Sequence, residues 1–137
     1  MEAYTQQIRS ITEMACPVWN GALTQQEERA LERIQITALA VIRGENNTTY
    51  REALEYFEID TLKKRREALC LKFAIKAQKN PKFSYWFSRN KSSINTRSVK
   101  LPFLKPKSRT KRFQKSPIIY LTDLLNSHLL KSRLPNE

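Results

Sequence analysis

The chain has no proline between Pro17 and Pro81, and its two glycines stand at Gly21 and Gly44. Proline removes a backbone donor and glycine loosens the backbone, so intervals without either are where helices can run. Two such intervals open with one pattern: Thr24 is followed three residues later by Glu27, and Thr49 by Glu52. In each pair the side chains satisfy one another's backbone N–H groups, which marks a helix start. After Thr24, acids (Glu27, Glu28, Glu32) crowd the positive end of the helix dipole and Arg43 sits at the negative end. Leu31, Ile34, Ala38, Val41 and Ile42 are the expected buried stripe, and Gly44 supplies the left-handed residue that closes the helix.

The remaining segments read in the same way. A first helix is predicted over residues 3–16, with Tyr4, Ile8, Ile11 and Ala15 on one face and Pro17 ending it. A short helix follows Thr49 through Tyr56 or Phe57. A long one runs from Thr61 to Lys79, with Leu62, Leu69, Phe73 and Ala77 toward the core and Cys70 and Ala74 beside them; Asn80-Pro81 stops it. Ser116-Pro117 opens a last helix whose apolar face is Ile118, Leu121, Leu125 and Leu129. The expected fold is all-α. A small three- to four-helix bundle fills 1–80, an aromatic and basic arm, largely extended, covers 81–115, and a short C-terminal helix and tail complete 116–137. Val99, Leu101 and Phe103 are where that arm would dock.

Charge divides the chain differently from its helices. Residues 1–60 hold five arginines against ten carboxylates, a net −5, whereas residues 61–137 hold twenty cations against three acids, a net +17. Solvated surface charge does not account for that density; a polyanion does. Lys63, Lys64, Arg65 and Arg66 open the third long helix, where cations oppose the dipole, and Lys72, Lys76 and Lys79 continue it. Arg97, Lys100, Lys105, Lys107, Arg109, Lys111, Arg112 and Lys115 then recur at short intervals, a spacing suited to following a phosphate backbone. Phe83, Tyr85, Trp86 and Phe87 stand just before them. Trp86 either stacks on unpaired bases or caps the bundle core. The expected partner is RNA or single-stranded DNA. An acidic protein docking on the arm is the alternative, and a solubilising or nuclear-import tail is the plainer one.

Chemistry is harder to find. Two separated glycines cannot form a phosphate loop. Cys16, Cys70 and His128 are too few for a zinc site of Cys and His alone. His128 reads as a surface or helix-end residue, and the cysteines read as reduced core side chains. No catalytic residue, metal or cofactor is expected. The absence of an apolar run of about 18 residues or of a signal-like start points away from a membrane and toward an intracellular, nuclear or cytoplasmic protein.

Several ordered segments carry a resemblance. Tyr4, Ile8-Arg9-Ser10 and Glu13-Met-Ala-Cys-Pro-Val-Trp19 resemble the segment that follows the palm in reverse transcriptases of non-LTR, LINE-type, jockey-like retrotransposons. Leu31-Glu32-Arg33-Ile34-Gln35, Ala38-Leu39 and Ile42-Arg43-Gly44 resemble the family's next helix. Tyr50-Arg51-Glu52-Ala53-Leu54, Arg65-Arg66 and Leu69-Cys70-Leu71-Lys72-Phe73-Ala74 keep its order, as do Asn80-Pro81-Lys82, Arg109-Thr110-Lys111-Arg112 and Ser116-Pro117-Ile118. Thr12 and Met14 depart from it, standing where leucine and an aromatic are usual. The resemblance implies a thumb and post-thumb helical region that grips template or primer, without the palm that carries the catalytic aspartates.

Overall fold

A computed structural model describes residues 1–44, 49–91 and 101–132. In chain order the α-helices are α1 (Ser10–Glu13), α2 (Cys16–Trp19), α3 (Gln25–Arg43), α4 (Tyr50–Tyr56), α5 (Leu62–Lys79), α6 (Lys111–Gln114) and α7 (Pro117–Lys131). A π-helical run, Tyr4–Arg9, leads into α1, and single 3-10 turns form at Asn20–Ala22 and Ser84–Trp86. The described residues are mostly helical; the one β contact among them is an isolated antiparallel bridge between Arg89 and Phe103. Two compact units divide the chain, Met1–Cys16 with Leu23–Ala68 and Pro17–Ala22 with Leu69–Glu137. Their boundary falls inside α5, between Ala68 and Leu69, whereas the expected helical module ran to residue 80, where Asn80-Pro81 stops the helix.

In the first unit both capping boxes form. Thr24 N–H donates to Glu27 Oε2 at 2.7 Å and Thr49 N–H to Glu52 Oε2 at 3.1 Å, each reciprocated through the threonine hydroxyl. Gly44 closes α3 at φ +72°. The buried faces differ from the apolar spacing. At the N-terminus Tyr4, Arg9, Thr12 and Cys16 are buried while Ile11 is 70% exposed. After Tyr4 the inward positions are displaced by one residue, because the i→i+5 bonds of a π-helix take an extra residue per turn. The helix also stops sooner than expected, with Ala15 left-handed at φ 52°, and Pro17 occupies the first turn of α2, where its missing N–H leaves nothing unpaired.

On α3 the fully buried residues are Gln35 and Leu39, with Leu31 and Ala38 half-buried, whereas Ile34, Ile42 and Val41 (77% exposed) face outward. The Gln35 amide donates to the Asp60 carbonyl at 3.1 Å, and that bond turns a polar side chain inward. A stripe drawn from apolar residues alone misses it. On α5 the buried line is Leu62, Arg66, Cys70, Ala74 and Ala77. Phe73, expected in the core, lies one residue off this line and is exposed.

The Glu32 carboxylate joins three elements of this unit. From α3 it accepts the Tyr50 hydroxyl of α4 at 2.5 Å and the Lys63 backbone N–H, in the first turn of α5, at 2.6 Å. Burial, and then the bond to Glu32, pushes the Tyr50 phenol above its ordinary pKa. Burial does the same to Tyr4, against the lowering effect of Arg9.

In the second unit α7 buries Ile119, Leu121, Thr122, Leu125 and Asn126; Ile118 and Leu129, expected on this face, are only half-buried. Gly21 packs against α7 so closely that a Cβ there would meet Tyr120 Cβ at 2.5 Å. The neighbouring Asn20 amide donates to the Tyr120 hydroxyl at 2.7 Å.

Two stability changes are expected. Glu32→Ala strips an acceptor from two donors at once and should cost about 1–3 kcal/mol, while Tyr50→Phe should cost about 1 kcal/mol; urea unfolding of both chains checks the order. Gly21→Ala forces overlap with an immobile part of Tyr120 and should cost about 1–3 kcal/mol. Unfolding at the wild-type midpoint would contradict that packing.

Candidate nucleic-acid interface

The cations that open α5 turn toward the chain's own acids. Lys63 Nζ lies 3.2 Å from Glu28 and Lys64 Nζ 2.6 Å from Asp60. Arg65 pairs with Glu13, whose side chain is only 11% exposed and also takes Arg9 at 3.0 Å. Arg66 is fully buried, and its carbonyl is within 3.9 Å of the Cys16 thiol. The expectation that Lys63, Lys64, Arg65 and Arg66 form one phosphate-facing run is therefore corrected. Arg66 is sealed inside and Arg65 is held at a shielded carboxylate, while Lys63 and Lys64 stay on the surface in solvent-screened pairs of small energy. The acidic first half of the chain supplies their counter-charges. Glu13 and Glu32 each join groups from different elements.

Lys72, Lys76 and Lys79 are exposed on α5 at spacings that share one helix face. None of the three pairs with a carboxylate among the described residues.

Residues 101–115 carry six cations and no acid. Arg97 and Lys100, expected in the same run, and Val99, an expected docking residue, lie outside the described residues. The part from Leu101 onward is anchored rather than loose. Phe103 is buried, its backbone N–H donates to Asn126 Oδ1 at 2.9 Å, and its carbonyl accepts the Asn126 amide at 3.0 Å. Asn90 N–H donates to the Pro102 carbonyl at 3.0 Å and Leu104 N–H to the Ser88 carbonyl at 2.8 Å. Leu101, the other docking residue expected, stays exposed.

Beyond this anchor Lys105, Lys107, Arg109, Lys111, Arg112 and Lys115 are all exposed. Lys105 pairs with Asp123 of α7 at 2.6 Å; the other five have no carboxylate partner among the described residues. The segment is not extended throughout. Thr110 caps α6 by accepting the Phe113 N–H at 3.2 Å, so Lys111 and Arg112 project from a helical turn. Thr110, a residue type favoured at N-caps, was the available signal for that turn.

The aromatic cluster divides between core and surface. Phe87 is buried edge-on to Phe103, with centroids 6.2 Å apart. Tyr85 is 74% exposed. Trp86 is half-buried, held edge-on by Phe83 at 5.1 Å and Tyr85 at 6.2 Å. Trp86 and Tyr85 line a cavity of about 490 Å³ whose other walls include Leu104, Lys105, Lys107 and Phe113. The tertiary fold thus brings Phe113 of α6 to the aromatics of residues 85–86, a juxtaposition that the sequence separation hides.

Among the described residues no group of three His, Cys, Asp or Glu side chains lies close enough to hold a metal ion. Cys16 and Cys70 are buried and His128 is exposed on α7. No described helix is long and apolar enough to cross a membrane. No family model matches the chain, nor does any curated protein or solved structure.

Proposed function

We propose that this chain is a non-catalytic nucleic-acid-binding module, of the kind expected from the C-terminal, template- or primer-gripping region of a non-LTR retrotransposon reverse transcriptase. The observation that carries the reading is the contrast between two sets of cations. Lys63, Lys64 and Arg65 at the start of α5 have intramolecular acids, whereas Lys107, Arg109, Lys111, Arg112 and Lys115 crowd one segment with no described carboxylate against them. Cations held this close without counter-charge repel one another, and a polyphosphate backbone relieves that repulsion while releasing its own counterions. Phosphate contacts of this kind position a protein without reading base sequence.

Binding should therefore be strong at low salt, indifferent to sequence and steeply salt-dependent. If about half of the eight cations from Arg97 to Lys115 meet phosphates, log affinity should fall against log salt with a slope of roughly −3 on single strands. Replacing Arg109, Lys111 and Arg112 together with alanine should flatten that slope by about two. These side chains are exposed, so the fold should stand. An unchanged slope with binding intact would move the surface to Lys72, Lys76 and Lys79. Failure to bind nucleic acid at low salt, with capture of an acidic polypeptide instead, would favour a protein partner for the basic segment.

The purified chain should also extend no primer. Two-metal phosphoryl transfer needs clustered carboxylates, and residues 61–137 contain three acids in all. Extension above an empty-vector control would overturn this.

A further inference from the structure

Three aromatic rings surround the cavity between residues 85–88, 104–107 and α6, and two of them are costly to leave in water. Tyr85 is 74% exposed and Phe113 40% exposed. Trp86, between Phe83 and Tyr85, forms a wall held in place by edge contacts. Leu104, Pro106 and Ile118 complete an apolar lining, and Lys105 and Lys107 stand among them. Lys111 and Arg112 precede Phe113 on the same short helix.

The chemistry of these walls selects the occupant. A cationic group would suit aromatic faces alone, but Lys107, which has no described carboxylate against it as Lys105 has in Asp123, lines the same cavity and repels it. An acidic peptide would satisfy the lysines and leave three rings unused. A flat, apolar, π-faced group carried on a polyanion satisfies both at once.

We propose that this cavity is a stacking site for one unpaired nucleobase, with Lys107 and the α6 cations holding the phosphates that flank it. The inference rests on the nucleic-acid reading above and deepens it, since it makes the ligand a single strand rather than any polyanion. A paired base inside a duplex offers no free face to these rings, so duplex DNA engages the cations alone.

The test uses the whole chain and two fluorescently labelled single strands of equal length, an oligothymidylate and an abasic deoxyribose-phosphate oligomer. Affinities are read by anisotropy at low and moderate salt. The oligothymidylate is expected to bind more tightly than the abasic strand, by about 5- to 100-fold. Tyr85→Ala and Phe113→Ala should each remove much of that advantage while leaving abasic binding and the salt slope unchanged. Both side chains are exposed, so these variants keep their fold where Trp86→Ala loses packing against Phe83. Equal affinity for the two strands, or an advantage untouched by both substitutions, overturns the base site while leaving phosphate binding in place. Absence of binding to either strand at low salt overturns the nucleic-acid reading itself, and the base site with it.

Discussion

Four consecutive cations at the start of a helix oppose the dipole and one another, and in this protein the neighbouring acids make that arrangement tolerable. Glu32 reaches from α3 to accept the first-turn N–H of Lys63, so the positive end of α5 is capped from another helix. Glu28 and Asp60 pair with the two lysines, and Thr61 Oγ1 accepts the Lys64 N–H at 3.2 Å. Glu13 draws Arg65 and Arg9 together in a shielded site. Removing a partner from such a site leaves charge with poor access to water, which costs far more than loss of a surface pair. Beside these pairs the first unit also buries polar side chains, Gln35, Arg66 and Thr12 among them.

The second unit treats its cations in the opposite way. Asn126 clamps both backbone groups of Phe103, and Phe87 packs against the ring. This fixes the chain just before the basic run begins. A segment so anchored would lose less conformational entropy on binding a polyanion than a free tail would. Its cations, apart from Lys105, face water rather than carboxylates. Their mutual repulsion is screened over about 8 Å at physiological salt, so neighbours on α6 feel it fully while distant residues do not.

These two fates of lysine and arginine explain why total charge is a poor guide to a binding surface. The net +12 of the chain is spread over many cations, and only those without an intramolecular acid are available to a polyanion at no exchange cost. Counting charges along the sequence weights Arg66 and Arg112 equally. One is sealed in the core and the other is exposed on a four-residue helix.

Much of the secondary structure was legible because it is encoded locally. Thr24 with Glu27, Thr49 with Glu52, Gly44, Asn80-Pro81 and Ser116-Pro117 each act within a few residues of themselves, and the helix limits follow them closely. The exposed cations from Lys105 to Lys115 were legible too, because a run without acids has no local counter-charge to hide it. Part of the inward face of α5 and α7 was legible as well, since Leu62, Ala77, Leu121 and Leu125 are buried, but at the N-terminus and on α3 the tertiary structure decided it. A π-helical run shifted the inward face after Tyr4, a hydrogen bond from Gln35 to Asp60 turned α3, and acids up to 52 residues away claimed the cations of α5. The placing of Phe113 on the cavity that Tyr85 and Trp86 line has the same origin. Periodicity reports hydrophobic surface area, whereas the direction of a polar side chain depends on a partner that is distant in sequence and near only once the chain has folded.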